Sequence, residues 1–298
     1  MIEKRESVTA KLCAFIRAFH SIHAEKKIFD DYLALDMLGK DEYEEMYHLV
    51  QHGFDTGQHF SKADTEALIQ EYLAPIPLSR IHFMEERLHQ FAAENERIQY
   101  VICGAGSDTF SFRNDNPNIT IFEVDHPDTQ RFKRERIRSL KWSIPKNIRF
   151  VPVNFETEKM NEKLTANGFA PTAKTFFSIL GVSYYLTLPV FTKMLQSVAE
   201  LSTSQSVLVF DYPQKSGDFP PRVDRLRKIT EAMGEKMQSG FDYEEISRVL
   251  YMLGFQIDTF FPPEKVQAHY FSDRTDGLRA FENVNFLSAI YTGGDAYE

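Results

Sequence analysis

After residue 97 the chain adopts a rhythm that few architectures can satisfy. Seven short apolar runs follow one another: "IQYVICG" (98–104), "ITIFEVD" (119–125), "IRFVPVNF" (148–155), "KTFFSILG" (174–181), "SVLVFDYP" (206–213), "FQIDTFF" (255–261) and "VNFLSAIY" (284–291). They are rich in β-branched and aromatic residues, and each is about the length of one strand. Between the first five lie stretches with helical spacing, such as "PDTQRFKRERIRSLK" and "LPVFTKMLQSVAELS". Strand–helix alternation predicts a parallel sheet with helices on both faces. A longer, helix-poor stretch joins the last two runs, which predicts a final antiparallel strand.

Residues 1–97 read differently. They lack strand-like alternation, and "VTAKLCAFIRAFHSI" places Leu12, Phe15, Ile16 and Phe19 on one helical face. "KADTEALIQEYLAPIP" predicts a second helix ended by Pro75 and Pro77. "SRIHFMEERLHQFAAENE" predicts a third, capped by Ser79. A helical cap over 1–97, packed on an α/β core over 98–298, is therefore expected. Residues 214–240, "QKSGDFPPRVDRLRKITEAMGEKMQSG", interrupt the rhythm with a glycine, paired prolines and a charged helix. They read as an insertion lying over the carboxyl ends of the strands, where open α/β sheets bind ligands.

Composition narrows the function classes. The net charge of −9 over 298 residues opposes binding to nucleic-acid phosphates over a broad face. The six basic residues of "RFKRERIRSLK" (131–141) read as the exposed face of a helix in an acidic chain. Cys13 and Cys103 show neither CxxC nor metal spacing, and Cys103 reads as a small buried hydrophobe. His48, His52 and His59 lack an HExxH arrangement and read as solvated helix residues. No metal is expected. The charged start and the absence of a long apolar segment predict a soluble, cytoplasmic protein without a signal peptide or membrane contact.

The chemistry begins at "VICGAGSDTF". A chain that turns from strand to helix beside a ligand has no room for a Cβ at the point of approach, and Gly104-Ala105-Gly106 meets that need. The dinucleotide fingerprint has a third glycine where this chain has Thr109, which weakens a pyrophosphate reading. Asp125 ends the second strand about 20 residues beyond the turn, the spacing of a ribose-binding carboxylate. Glu123 alternates with it on the same face or simply solvates the strand end. At the end of the third strand, Asn154 offers an acceptor for an adenine amino group and Phe155 a ring to pack on it, or both are ordinary strand-end residues. After the fourth strand, Ser183, Tyr184 and Tyr185 bring hydroxyls to the reacting end. Asp211 and Tyr212 end the fifth. His82 lies two residues past Arg80 and could face a pocket.

Taken in order, "VICGAGSDTFSFR", "FEVDHPDTQRFKRERI", "VPVNFE" and "GVSYYLT" resemble the leucine carboxyl methyltransferase family over about residues 80–213, and "FIRAFHS…IFDDYLA" resembles its opening helices. The resemblance implies a class I methyltransferase, Rossmann-like fold: a seven-stranded, mostly parallel sheet with a final antiparallel strand, a helical N-terminal cap and a lid insertion. It implies S-adenosyl-L-methionine as cofactor. Arg80 then matches the arginine that pairs with the cofactor's methionine carboxylate, Gly104 the glycine against the cofactor, and Asp125 the ribose-binding aspartate. Arg17 matches an N-terminal basic residue near the active site. Two positions depart from the family pattern. Asn154-Phe155 stands where the family has Asp-Leu, which keeps an acceptor oxygen and loses a charge. Leu180 stands where the family has a glutamate that contacts the cofactor's amino-acid end, so backbone carbonyls must serve there or the site is rearranged. The expected reaction is O-methylation of a carboxyl or hydroxyl, on a small-molecule or peptide-carboxylate acceptor, by in-line displacement. Tyr184 and Tyr185 are the candidates nearest the acceptor. A nicotinamide-dependent oxidoreductase using the same turn, and a non-catalytic binding module, are the alternatives.

Overall fold

The computed structural model describes residues 8–54, 59–155, 157–234, 236–238 and 240–293. Among the described residues, five α-helices precede the sheet: α1 (Val8–His23), α2 (Ala34–Leu38), α3 (Lys40–Gln51), α4 (Lys62–Leu68) and α5 (Pro75–Ala93). Then come β1 (Ile98–Cys103), α6 (Phe110–Arg113), β2 (Ile119–Asp125), α7 (Pro127–Ser139), β3 (Ile148–Pro152), α8 (Met160–Ala166), β4 (Thr175–Ile179) and α9 (Leu188–Leu201). The chain finishes with β5 (Val207–Pro213), α10 (Pro221–Ala232), α11 (Tyr243–Met252), β6 (Phe255–Phe261), α12 (Pro263–Tyr270) and β7 (Val284–Tyr291).

The strands form one seven-stranded sheet in the order β3-β2-β1-β4-β5-β7-β6. Pairing is parallel from β3 through β5, and β7 runs antiparallel to both β5 and β6. The predicted parallel sheet with a final antiparallel strand is therefore present. Side-chain alternation sorts each strand between two cores. Tyr100 and Ile102 of β1 face a cluster that includes α1, α5 and α12. Val101 and Cys103 face the opposite cluster, with α8, α9 and α11. All of β1 and β4 is buried, as a strand covered on both faces requires. Burial pushes the Cys103 thiol up to about 12, so it stays a neutral core group.

Three local expectations change. Pro75 starts a helix instead of ending one: it occupies the first turn of α5, where a missing N–H costs nothing, and Ser79 sits inside the helix with its hydroxyl donating to the Pro75 carbonyl at 2.6 Å. A π-helical segment, Ile69–Leu73, carries α4 into α5, with Ala74 N–H donating to Ile69 O at 2.8 Å. Second, the stretch between β6 and β7 is not helix-poor, because it holds α12, again begun by a proline. Third, β3 stops at Pro152, three residues short of the predicted run. There the Val153 N–H makes a last bond to Asp125 O (2.8 Å), and the Asn154 N–H turns to Glu158 Oε2 (2.9 Å).

The strand order reverses between β1 and β4. The carboxyl ends of these two strands diverge there and leave the crevice that open α/β sheets use for ligands.

Candidate functional site

The glycine turn leaves β1 at this crevice. Gly104 has φ +84°, and a Cβ there would lie 2.9 Å from Val182 Cγ2, so only glycine fits without movement. The N–H groups of Gly104 and Ala105 both donate to Val124 O, at 2.8 and 3.1 Å. Gly106 N–H donates to Asp125 Oδ2 at 2.5 Å, and His126 N–H donates to Asp125 Oδ1 at 2.6 Å. Each oxygen thus keeps a further acceptor site. Burial raises the Asp125 pKa, against the pull of those two backbone N–H groups.

A buried charged clamp holds the rest of the turn. Asp31, 1% exposed, accepts from Arg17 Nε (2.8 Å) and from the Thr109 hydroxyl (2.6 Å), and lies 3.4 Å from Arg113 Nε. Arg17 also donates to Ser107 O at 2.7 Å, inside the turn. Arg113 pairs bidentately with Glu85 of α5, at 2.5 and 3.2 Å. Burial alone would raise the Asp31 pKa; Arg17, Arg113 and Thr109 together bring it below the usual carboxylate value. Arg17 is therefore a strut beneath the turn. Asp31 escaped the sequence reading, although "IFDDYLA" carries the signal of an acid beside an apolar pair.

Glu123 does not solvate the strand end. It is fully buried and pairs with Lys133 Nζ at 2.6 Å. Lys133 comes from the basic run of α7, which is exposed at Arg131 but turns this one lysine into the core. Asn154 and Phe155 follow the end of β3, beside Asp125, and the Phe155 ring is 44% exposed.

At the end of β4 a second constellation forms around Asp211, which is fully buried. Its Oδ1 accepts from Gly181 N–H at 2.7 Å, and its Oδ2 from the Tyr184 hydroxyl at 2.8 Å. Arg80 reaches over from α5, 3.4 Å from Asp211 Oδ2 and 3.4 Å from Cys13 Sγ. Gly181 has φ +71°, and a Cβ there would stand 2.6 Å from both Arg80 Nη atoms. Burial, and then Asp211, push the Tyr184 pKa well above its ordinary value. The Tyr185 hydroxyl approaches Thr9 Oγ1 at 3.4 Å. Leu180 packs its side chain on the core beneath the N-terminal helices. Tyr212 alternates away from Asp211, into the opposite core against Phe241. His82 pairs with Glu86 (3.5 Å) and Tyr270 and stays out of the cleft.

Arg80, Gly181, Tyr184 and Tyr185 line one cleft with a cavity volume of about 60 Å³, whose other walls include Leu12, Tyr72, Leu226 and Met237. The glycine turn adjoins it through Val182, whereas Asn154 and Phe155 lie outside its lining. Among the described residues, no Asp, Glu, His or Lys side chain lines this cleft. Among the described residues no group of His, Cys, Asp and Glu could hold a metal, and no helix is long and apolar enough to cross a membrane.

A reversed parallel sheet with an antiparallel β7, and a glycine turn answered by an acid at the end of β2, define a class I methyltransferase fold. The chain belongs to the leucine carboxyl methyltransferase family, whose model matches residues 10–199. It is 34% identical to YktD of Bacillus subtilis over 97% of this chain and 99% of that protein, which is named as an S-adenosyl-L-methionine-dependent methyltransferase. A Mycolicibacterium smegmatis protein named in the same way is 29% identical over 49% of this chain and 48% of its own length. A crystal structure from Thermobifida fusca, described as a methyltransferase, shares the fold with a TM-score of 0.53 at 15% identity, over 82% of this chain and 94% of that one. The oxidoreductase alternative finds no support. The residue at its third glycine position, Thr109, is spent on Asp31.

Proposed function

We propose that this methyltransferase uses S-adenosyl-L-methionine to methylate an oxygen, carboxyl or hydroxyl, of a small or medium acceptor held in the cleft above β4 and β5. The observation that carries the reading is the cleft itself. It adjoins the glycine turn through Val182, and Arg80, the one cation among its described lining residues, pairs with Asp211.

The residues present fit the cofactor. Gly104 and Gly106 offer backbone without side chains. Asp125 has acceptor capacity left for a ribose diol. Arg80 Nε is buried and without a partner, on a guanidinium suited to the methionine carboxylate. Asn154 would accept from the adenine amino group, with Phe155 against the ring. At Leu180 the backbone carbonyl would do what the family's glutamate does. When bound, the cofactor supplies an electrophilic methyl group on a sulfonium.

The chain's own contribution is positioning and exclusion of water, which can supply much of the rate. Among the described residues, no carboxylate, histidine or lysine lines the cleft to serve as a general base. The Tyr184 hydroxyl is a donor to Asp211 and supports the wall, so Tyr185 is the tyrosine best placed to touch the acceptor. An acceptor oxygen that is anionic at neutral pH needs no base, which favours a carboxylate over an alcohol. Helices α1 to α5 act as the cap, and the 214–240 segment acts as the lid: Leu226, Thr230 and Met237 close the cleft, and Gln238 N–H donates to Tyr184 O at 2.7 Å. Residues 235 and 239 of that segment lie outside the described residues.

Calorimetry with S-adenosylhomocysteine tests the reading. The protein should bind it, and Asp125→Ala should bind roughly 100-fold more weakly, through loss of hydrogen bonds to a charged group. No heat of binding at high micromolar ligand overturns the assignment.

A further inference from the structure

Past the carboxyl end of β4, a single buried carboxylate gathers the wall of the cleft. The register pairs Ile179 with Phe210, so Asp211 comes level with Leu180, where β4 has already left the sheet. On its other side Asp211 stays paired with Phe286 of β7, which fixes its backbone. Phe210 and Tyr212 point into the opposite core, so alternation turns Asp211 towards α5. Leu180 carries no charge and packs on the core. The carboxylate of this corner therefore comes from β5.

Its contacts reach two elements at once. Oδ1 accepts from Gly181 N–H (2.7 Å), Oδ2 from the Tyr184 hydroxyl (2.8 Å), and the Asp211 carbonyl accepts from the Ser183 hydroxyl (2.6 Å). Three bonds thus fix the loop that leaves β4. Oδ2 also lies 3.4 Å from Arg80 Nη1 on α5, and among the described residues no other carboxylate pairs with Arg80. Burial weighs most heavily on the Arg80 charge and opposes it. Asp211, followed by Cys13, Tyr184 and Tyr185, turns the balance, and the Arg80 pKa rises.

We propose that Asp211 is the positioning residue for the cofactor's amino-acid end. It holds Arg80 and the 181–184 loop in place, and it balances the Arg80 charge so that the cleft takes a group carrying both a carboxylate and an ammonium. This rests on the methyltransferase reading and adds a residue to it. The physical argument is one of sign. An α-amino acid end bears opposite charges on one carbon. A lone guanidinium attracts its carboxylate and repels its ammonium, whereas a guanidinium with a carboxylate beside it offers both signs. Asp211 is fully buried, so it acts through Arg80 and through its field, which an interior of low dielectric screens weakly. The loop it fixes also carries Val182, which stands against Gly104. The same residue therefore sets how Arg80 and the glycine turn face one another.

The test compares two ligands by calorimetry: S-adenosylhomocysteine and its deamino analogue, which lacks only the α-amino group. Wild-type protein should prefer S-adenosylhomocysteine about tenfold or more, the size of one interaction with a charged group. Asp211→Asn keeps the shape of the side chain and removes its charge. The preference should then fall to about twofold or reverse, because an unbalanced Arg80 repels the ammonium. Tyr184→Phe removes a hydrogen bond to Asp211 but not its charge, and should keep the wild-type preference. A purely structural role would weaken both ligands alike, and an unchanged preference in Asp211→Asn overturns the proposal. Equal binding of the two ligands to wild-type protein overturns it as well, with no variant required to fold. Wild-type protein that binds neither ligand overturns the methyltransferase reading itself, and the role of Asp211 with it.

Discussion

The glycine turn at 104–109 and the cleft above β4 and β5 share one edge of the sheet, yet they are built from opposite materials. The turn rests on buried charge: Asp31 ties Arg17, Thr109 and Arg113 together, and Arg113 carries the tie on to Glu85 of α5. The cleft is mostly apolar, with one ion pair at its inner end. A charged network has one good geometry, because each member left unpaired in a low-dielectric interior is expensive. An apolar wall tolerates changes of shape, since methyl groups and thioethers substitute for one another with modest loss. The fixed part is where a constant ligand would bind, and the adaptable part is where the variable one would.

Removing Asp31 should break this contrast most severely. Asp31→Ala leaves Arg17 and Arg113 facing a hole and should cost about 3–5 kcal/mol, read by chemical denaturation. The pH dependence sharpens the point. The folded Asp31 pKa lies below the ordinary 3.8, so its contribution is present above that value and is lost as pH falls through the folded one. The stability difference between the wild type and Asp31→Asn should therefore shrink below about pH 4 and stay flat above it.

Tyr184→Phe removes one hydrogen bond to a buried carboxylate that Arg80 still serves. It should cost roughly 1.5–3 kcal/mol of stability and less than tenfold in turnover. A loss of turnover approaching a thousandfold would mark the hydroxyl as a general acid or base, the size such groups supply. Gly104→Ala, the mildest change, should cost about 1–2 kcal/mol from its positive φ. Its effect should concentrate in S-adenosylhomocysteine affinity, weakened roughly tenfold in calorimetry, because the new methyl pushes on Val182 beneath the turn.

Much of the sheet could be read directly. The runs at 119–125, 255–261 and 284–291 coincide with β2, β6 and β7, since a strand buried on one or both faces leaves an unbroken or alternating apolar mark. Proline misled the reading at one point. Pro75 read as the end of a helix and instead occupies the first turn of one, a distinction set by the backbone before it rather than by the residue. The turn at Gly104 and its approach to Asp125 were legible, because both belong to one strand–turn–helix–strand unit. The Asp31 clamp and the Arg80–Asp211 pair were not. Their partners lie 78 and 131 residues apart, and no local pattern encodes such a meeting.

The sequence by itself determined the alternation of strands and helices, the bare turn after β1 and the acid that answers it, because periodicity and glycine act over a few residues. Only the tertiary structure decided that Lys133 turns inward from a basic helix, that Asp211 gathers Gly181, Tyr184 and Arg80, and that Leu226 and Thr230 of α10 wall the cleft. These arrangements depend on which faces meet across the sheet. Burial then fixes them, because a charge taken from water must find its partner wherever the fold brings one.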